Sequence, residues 1–154
     1  MTSCRMKVPL ANRTNGESMS SNGVPIGVYT DHQLDLVRRQ IAFWETNSNA
    51  AGGLEDWLPE GVLTAPRGVR ESTDALPAVV ETWHQLFRDL HIEILSLFGS
   101  ADGQWLAIEW TWLVTRRSDG ATGVTTDAII VQLHEDKIFS WREYFDTFGS
   151  VEFT

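Results

Sequence analysis

Beyond residue 90 the sequence loses helical periodicity altogether. Four segments, "HIEILSLFG", "QWLAIEWTWLVTRR", "TGVTTDAIIVQLH" and "DKIFSWREYFD", are rich in β-branched and aromatic residues, with "SADG", "SDGATG" and "HED" between them. Such residues suit a pleated, half-buried surface and the separators are turn sequences, so the pattern predicts a four-stranded antiparallel meander. A sheet of this kind needs cover on its apolar face, and the earlier residues supply it. Leu34, Val37, Ile41 and Trp44 recur at helical spacing behind a cap at Thr30 or Asp31. Leu76, Val80, Trp83, Phe87 and Leu90 form a second stripe behind Ser72 or Thr73, with Pro77 tolerated in the first turn. Between the two, "LEDWLPEGVLTAPRG" reads as a helical turn over Leu54 to Leu58 stopped by Pro59, then a brief strand from Val62 to Ala65. Helices first and strands afterwards give an α+β domain whose curved sheet packs one face on helices.

The 154 residues suit one domain with a real core. The opening stretch is rich in Ser, Asn and Gly and lacks apolar periodicity, so residues 1–28 are expected to be a flexible arm and 29–154 the folded domain. A formal net charge of −9 without a Lys/Arg stripe excludes nucleic acid as the expected partner. Cys4 stands alone, so no internal disulfide can form, which fits a reducing, cytoplasmic setting. There is no apolar run of about 18 residues and no signal-peptide core, so no membrane partner is expected. Metal-ligand spacings, nucleophile elbows and glycine-rich phosphate loops are all missing, so neither metal nor cofactor is expected.

What remains is acid–base chemistry. Strand alternation splits Trp105 to Val114 into Leu106, Ile108, Trp110, Trp112 and Val114 on one side and Ala107, Glu109, Thr111 and Leu113 on the other. Asp127 lies in a set with Thr125, Ile129 and Val131, and Glu143 in a set with Phe139, Trp141 and Phe145. Three neighbouring strands thus each combine one carboxylate with apolar neighbours. If the three faces coincide, Glu109, Asp127 and Glu143 converge. Each acid also has a plainer use: Glu109 facing solvent, Asp127 ending a strand, Glu143 pairing with Arg142 or Arg117. Of the four histidines, His84 lies one step off the second helical stripe, near Val80 and Phe87. Trp44, Trp57, Trp83 and Trp141 are candidate pocket walls as well as core residues.

The order of elements, with "LPEGVLTAPRG", "DLHIEI", "LAIEWTW" and "VQLHEDKIFSWREYFD", resembles the SnoaL-like branch of the nuclear transport factor 2-like superfamily over about Asp31 to Phe148. The resemblance implies a cone-shaped α+β barrel, a curved antiparallel sheet packed on N-terminal helices around a deep pocket, and homodimers joined through the sheet's outer face. It also puts Glu109, Thr111 and Glu143 inside, where related epoxide hydrolases place pocket residues. The departures are specific. Glu109-Trp110-Thr111 replaces the Arg-x-Asp pair of the epoxide hydrolases, and Gln40 and Ala65 replace the Tyr and Asp of ketosteroid isomerases. Asp127 shares strand and parity with the catalytic Asp of SnoaL-type cyclases, two residues earlier.

The expected activity is therefore a cofactor-independent isomerase or cyclase for a small hydrophobic, polyketide- or terpenoid-like metabolite. Asp127 or Glu143 removes a proton, and a neutral Glu109 donates one to the oxyanion. Trp44, Trp57, Trp83, His84, Phe87, Thr111, Ile129 and Trp141 are expected to bind substrate. The alternatives are epoxide hydrolysis or epoxide opening, with Glu143 and Glu109 activating water or an internal hydroxyl and Asp127 protonating the epoxide oxygen, and a non-catalytic ligand-binding or dimeric interaction module.

Overall fold

A computed structural model describes residues 5–7, by backbone alone, and 25–145. The strands are β1 (Arg5–Lys7), β2 (Ile26–Tyr29), β3 (Trp57–Ala65), β4 (Val69–Ser72), β5 (Phe87–Gly99), β6 (Trp105–Arg116), β7 (Thr122–His134) and β8 (Lys137–Phe145), and the helices are α1 (Asp31–Thr46) and α2 (Leu76–Leu86). The strands make one curved sheet in the order β1-β2-β5-β6-β7-β8-β3-β4, and with the two helices they form the cone-like α+β architecture. β5 to β8 are the expected meander, every neighbour antiparallel. The sheet as a whole is mixed, because β2 joins β5 and β3 joins β8 in parallel.

Local chemistry sets the element ends. Thr30 caps α1: its side chain accepts from the Gln33 N–H at 3.1 Å while Gln33 Oε1 accepts from the Thr30 N–H at 2.9 Å, a reciprocal box that satisfies two otherwise orphaned donors. Asn47 closes the helix in a left-handed conformation. The second helix is shorter than its stripe. It stops at Leu86, and Phe87 already belongs to β5, which a bulge at Asp89 (φ 55°) lets turn back under the helix. Phe87 and Leu90 are therefore strand residues. β3 is longer than expected, starting at Trp57. Pro59 lies where its register with β8 slips between Trp57 and Val62, so the missing N–H breaks no ladder bond. The arm boundary expected at residue 28 falls inside β2; the rest of that arm, apart from 5–7 and 25, lies outside the described residues.

The core lies between the helices and the inner face of the sheet. Leu36 and Val37 of α1 and Val80 of α2 are fully covered, as are Leu97, Ile129, Val131 and Ile138 of the sheet. One polar knot sits among them. Gln40, 1% exposed, donates to the Gly53 carbonyl at 2.7 Å and accepts from the Trp57 indole at 2.8 Å. Arg39 grips Asp56 with two 2.8 Å hydrogen bonds beside it. The knot ties α1 to the start of β3. Gln40→Leu keeps roughly the side-chain volume but strands a buried N–H and a carbonyl, so it should lower the unfolding free energy by about 2–4 kcal/mol, read from the urea midpoint at unchanged slope.

Candidate active site

Cross-strand register decides which side chains share the interior. Residues directly opposite in an antiparallel pair point the same way. Trp110 faces Asp127, Asp127 faces Phe145, Trp112 faces Thr125 and Ile129 faces Glu143. The face carrying Leu106, Ile108, Trp110, Trp112 and Val114 is the buried one, so Asp127 and Glu143 are both turned inward. Against them α1 brings Trp44, α2 brings Val79 and Trp83, and β3 brings Leu63 and Ala65. The result is a cavity of about 240 Å³ with Asp127 and Glu143 in its lining. Three indoles form one wall: Trp44 meets Trp112 edge-on with centroids 5.4 Å apart, and Trp83 lies 5.7 Å from Trp112. Pro66 and Arg67, in the turn Pro66–Gly68, rim the mouth together with Val69.

The two acids differ in what holds them. Asp127 is 3% exposed; it accepts from the Trp110 indole at 3.2 Å, and its Oδ1 has no donor. Burial pushes its pKa up to about 6, with the indole N–H of Trp110 and the nearby one of Trp112 opposing the rise by favouring the anion. Trp112 acts at a distance, since its Nε1 makes no formed hydrogen bond. Glu143 is enclosed by protein yet remains partly accessible, because it lines the cavity. Burial, followed by the charge of Asp127, drives its pKa up to about 8, while a 2.8 Å hydrogen bond from the Trp141 indole works the other way. Near neutral pH the pair therefore holds one proton, on Glu143, and one charge, on Asp127. A carboxylate and a carboxylic acid thus line the same cavity.

Two of the three expected acids meet; the third does not. Glu109 lies opposite Ala128 on the other face of the sheet, exposed, accepting from Ser96 Oγ at 3.1 Å. Thr111 lies on that same face, opposite Glu93 and Thr126. The reason is energetic. Turning Glu109 and Thr111 inward would turn two tryptophans, two aliphatics and Ile108 to water, each losing about 1.5–3 kcal/mol of burial. The plain alternation of β6 favours the tryptophan side, and the family resemblance pointed to the wrong one.

Trp44 and Trp83 line the cavity as expected. Trp57, Phe87, Ile129 and Trp141 are core residues outside its lining: Trp57 binds Gln40 and packs on Trp141, Phe87 packs on Trp83, and Trp141 steadies Glu143. His84 pins the helices together, its Nε2 at 2.7 Å from the Trp44 carbonyl, and also lies outside the lining. Trp112, Val114, Thr125 and Phe145 line the cavity without having been singled out, as do the mouth residues Pro66, Arg67 and Val69. Alternation would have found Trp112 once Trp110 was taken as interior. Among the described residues no cluster of His, Cys, Asp and Glu is arranged to hold a metal ion, and no helix is long and apolar enough to cross a membrane.

The profile of the SnoaL-like domain matches residues 37–141, well over half of the chain. No curated protein matches it in sequence. Among solved structures, a protein of ketosteroid isomerase-like fold from Catenulispora acidiphila, bound to trimethylamine, superposes with TM-score 0.63 at 17% identity, over 73% of this chain and 85% of that one. A candidate polyketide cyclase from Pseudomonas putida gives 0.59 at 20% identity, over 73% and 90%. A candidate isomerase from Bacillus subtilis gives 0.64 at 15% identity, over 75% and 87%. At such identities the likeness is one of fold.

The acids make stability pH-dependent in an unusual direction. Both folded-state pKa values lie above the ordinary carboxyl range near 4, so the native state binds more protons than the unfolded chain between about pH 4 and 8. Their contribution is complete below that window and is lost as pH rises through about 6 and then about 8. Exposed pairs such as Asp119 with Arg116, whose carboxyl is lowered to about 2, act in the opposite sense but at lower pH. Urea denaturation from pH 5 to 9 should show stability falling in the wild type. Glu143→Gln should flatten the upper limb and exceed the wild type at the alkaline end.

Proposed function

Because the chain belongs to the SnoaL-like domain family, we propose that it is a cofactor-independent acid–base catalyst, an isomerase or cyclase acting on a small hydrophobic metabolite. The observation that carries this reading is the pair of carboxyls in one apolar cavity, with pKa values raised to about 6 and about 8 on either side of neutrality. Environments that drive two titratable groups apart assign them opposite proton-transfer roles.

Asp127 is the base. Its carboxylate takes a proton from carbon next to a substrate carbonyl, and Glu143 gives its own proton to the oxygen on which charge develops. An enol then stands in the cavity, Asp127 neutral and Glu143 ionised. Returning a proton from Asp127 to a different carbon, as Glu143 recovers its own from the enol oxygen, completes an isomerisation. If the enol carbon instead attacks a second carbonyl of the same molecule, a ring closes. The enol O–H proton then returns to Glu143 and the Asp127 proton passes to the new alkoxide. The cavity suits a compact substrate, since sites for drug-sized ligands run from ~300 Å³ upward. The indole wall excludes water and so strengthens each electrostatic contact.

Epoxide opening as first framed required Glu109 next to Glu143, and Glu109 is on the opposite face. A ligand-binding module without turnover would use the same cavity and make the acids dispensable. We propose further that a second copy of the chain covers the sheet's outer face. Phe98 and Tyr144 are about half exposed there, around a shallow depression floored by Ala107, Ala128 and Ile130, and exposed apolar patches of this kind mark interaction surfaces.

Two experiments test these readings. Solvent-deuterium exchange next to the carbonyl of small cyclic ketones should be catalysed with a bell-shaped pH profile between about 6 and 8. Asp127→Asn and Glu143→Gln should each reduce the rate about 10²- to 10⁴-fold and Glu109→Gln should leave it intact; full activity in both cavity variants would end the proposal. In light scattering the wild type should be a dimer, and Phe98→Glu combined with Tyr144→Glu should give a folded monomer.

A further inference from the structure

The mouth of the cavity carries a charge that nothing inside accounts for. Among the described lining residues the acids are Asp127 and Glu143, and the one cation is Arg67. The forces that set the two acids are burial, indole N–H groups and, for Glu143, the charge of Asp127; Arg67 is not among them, so its guanidinium does not neutralise either. Nor does Arg67 form an ion pair or hydrogen bond with any other described residue. Its side chain is exposed at the rim.

Its backbone makes the placement more telling. Arg67 sits at φ 65°, ψ 23°, directly after Pro66 and before Gly68 at φ 77°. That is the turn position where glycine is the unstrained choice. A bulky residue is held there in a left-handed conformation, on a turn that opens onto a cavity whose other ionisable groups are both acids, in a chain whose net charge of −9 repels anions. A planar guanidinium offers two parallel N–H donors to a carboxylate.

We propose that Arg67 binds an anionic group of the substrate, so that the substrate class is a small hydrophobic molecule ending in a carboxylate. The apolar body lies against Trp44, Trp83 and Trp112, the reacting carbon reaches Asp127 and Glu143, and the carboxylate stays at the mouth on Arg67. This deepens the acid–base reading and rests on its premise that the cavity is a ligand site.

Three near-isosteric probes, phenylacetate, phenylacetamide and phenethylamine, separate the possibilities. Quenching of tryptophan fluorescence reports occupancy, since three indoles line the cavity. The wild type should bind phenylacetate about tenfold or more tightly than the amide, the amine being weakest. Arg67→Gly, which relieves the left-handed strain and should leave the melting temperature unchanged or higher, should abolish the difference. Arg67→Lys, keeping the charge but losing the fork, should retain part of it. Equal binding of acid and amide, or a preference that survives Arg67→Gly, overturns the assignment while leaving the cavity and its acids intact. Tighter binding of the amine also overturns it, because the acids would then set the charge preference. No binding of any probe at millimolar concentration removes both this proposal and the ligand site beneath it.

Discussion

Everything chemical in this protein depends on the register that sets Trp110 opposite Asp127. It turns the carboxyl of Asp127 into the aromatic interior and supplies an indole N–H to receive it, at 3.2 Å. The next strand repeats the arrangement within itself: Trp141 and Glu143, two residues apart on β8, share a face, and the indole donates at 2.8 Å. A slip of one residue between β6 and β7 would carry Asp127 to the outer face and leave the interior without its carboxylate. The pairing is secured by the tryptophans themselves, because the same slip would expose Trp110 and Trp112 or force a mismatch with the helices.

Indole suits this task better than a cation would. An arginine beside Asp127 would hold the carboxyl far below neutrality and neutralise the neighbouring field that keeps Glu143 protonated. An indole N–H is a single neutral donor; it moderates the cost of a buried anion without removing its basicity. The same ring is a large apolar surface that keeps water out. Trp110 and Trp141 also touch each other, with centroids 5.5 Å apart, so the two donors that serve the two acids form one rigid block. The relative positions of the two carboxyls are fixed by ring packing and not by long flexible side chains.

Much of this was legible in the sequence, and what was not has identifiable causes. The meander, the Thr30 cap and the apolar stripe of α1 follow from local rules, and local rules were enough. The end of α2 was misread because Phe87 and Leu90 continue its stripe in sequence while the bulge at Asp89 takes the chain into β5; a stripe cannot register a bulge. The parallel contacts β2–β5 and β3–β8 join residues distant in the chain, and no turn sequence announces them. Asp127 and Glu143 could be placed from alternation alone, since each shares parity with a buried aliphatic or aromatic neighbour. Glu109 could not be rescued by analogy. Its own strand carries two tryptophans of the opposite parity, and the area they bury outweighs a likeness to proteins whose key residues this chain lacks.

A buried acid pair of raised pKa is a standing loss of stability at neutral pH, so the scaffold around it has to be stable on other grounds. The knot of Gln40, Asp56, Arg39 and Trp57 does not line the cavity, yet it fixes α1 against the start of β3, and Trp57 in turn packs against Trp141, the donor to Glu143. Polar satisfaction in one place thus supports imperfect satisfaction in another. Asp127 Oδ1 and Trp112 Nε1 remain without hydrogen-bond partners in the interior. Groups left unpaired at such cost are rare in a folded interior and call for a reason of their own. Both belong to residues of the cavity lining, and the Trp112 indole stands close enough to Asp127 to favour its anion, so the unsatisfied polar atoms lie together at one place in the interior.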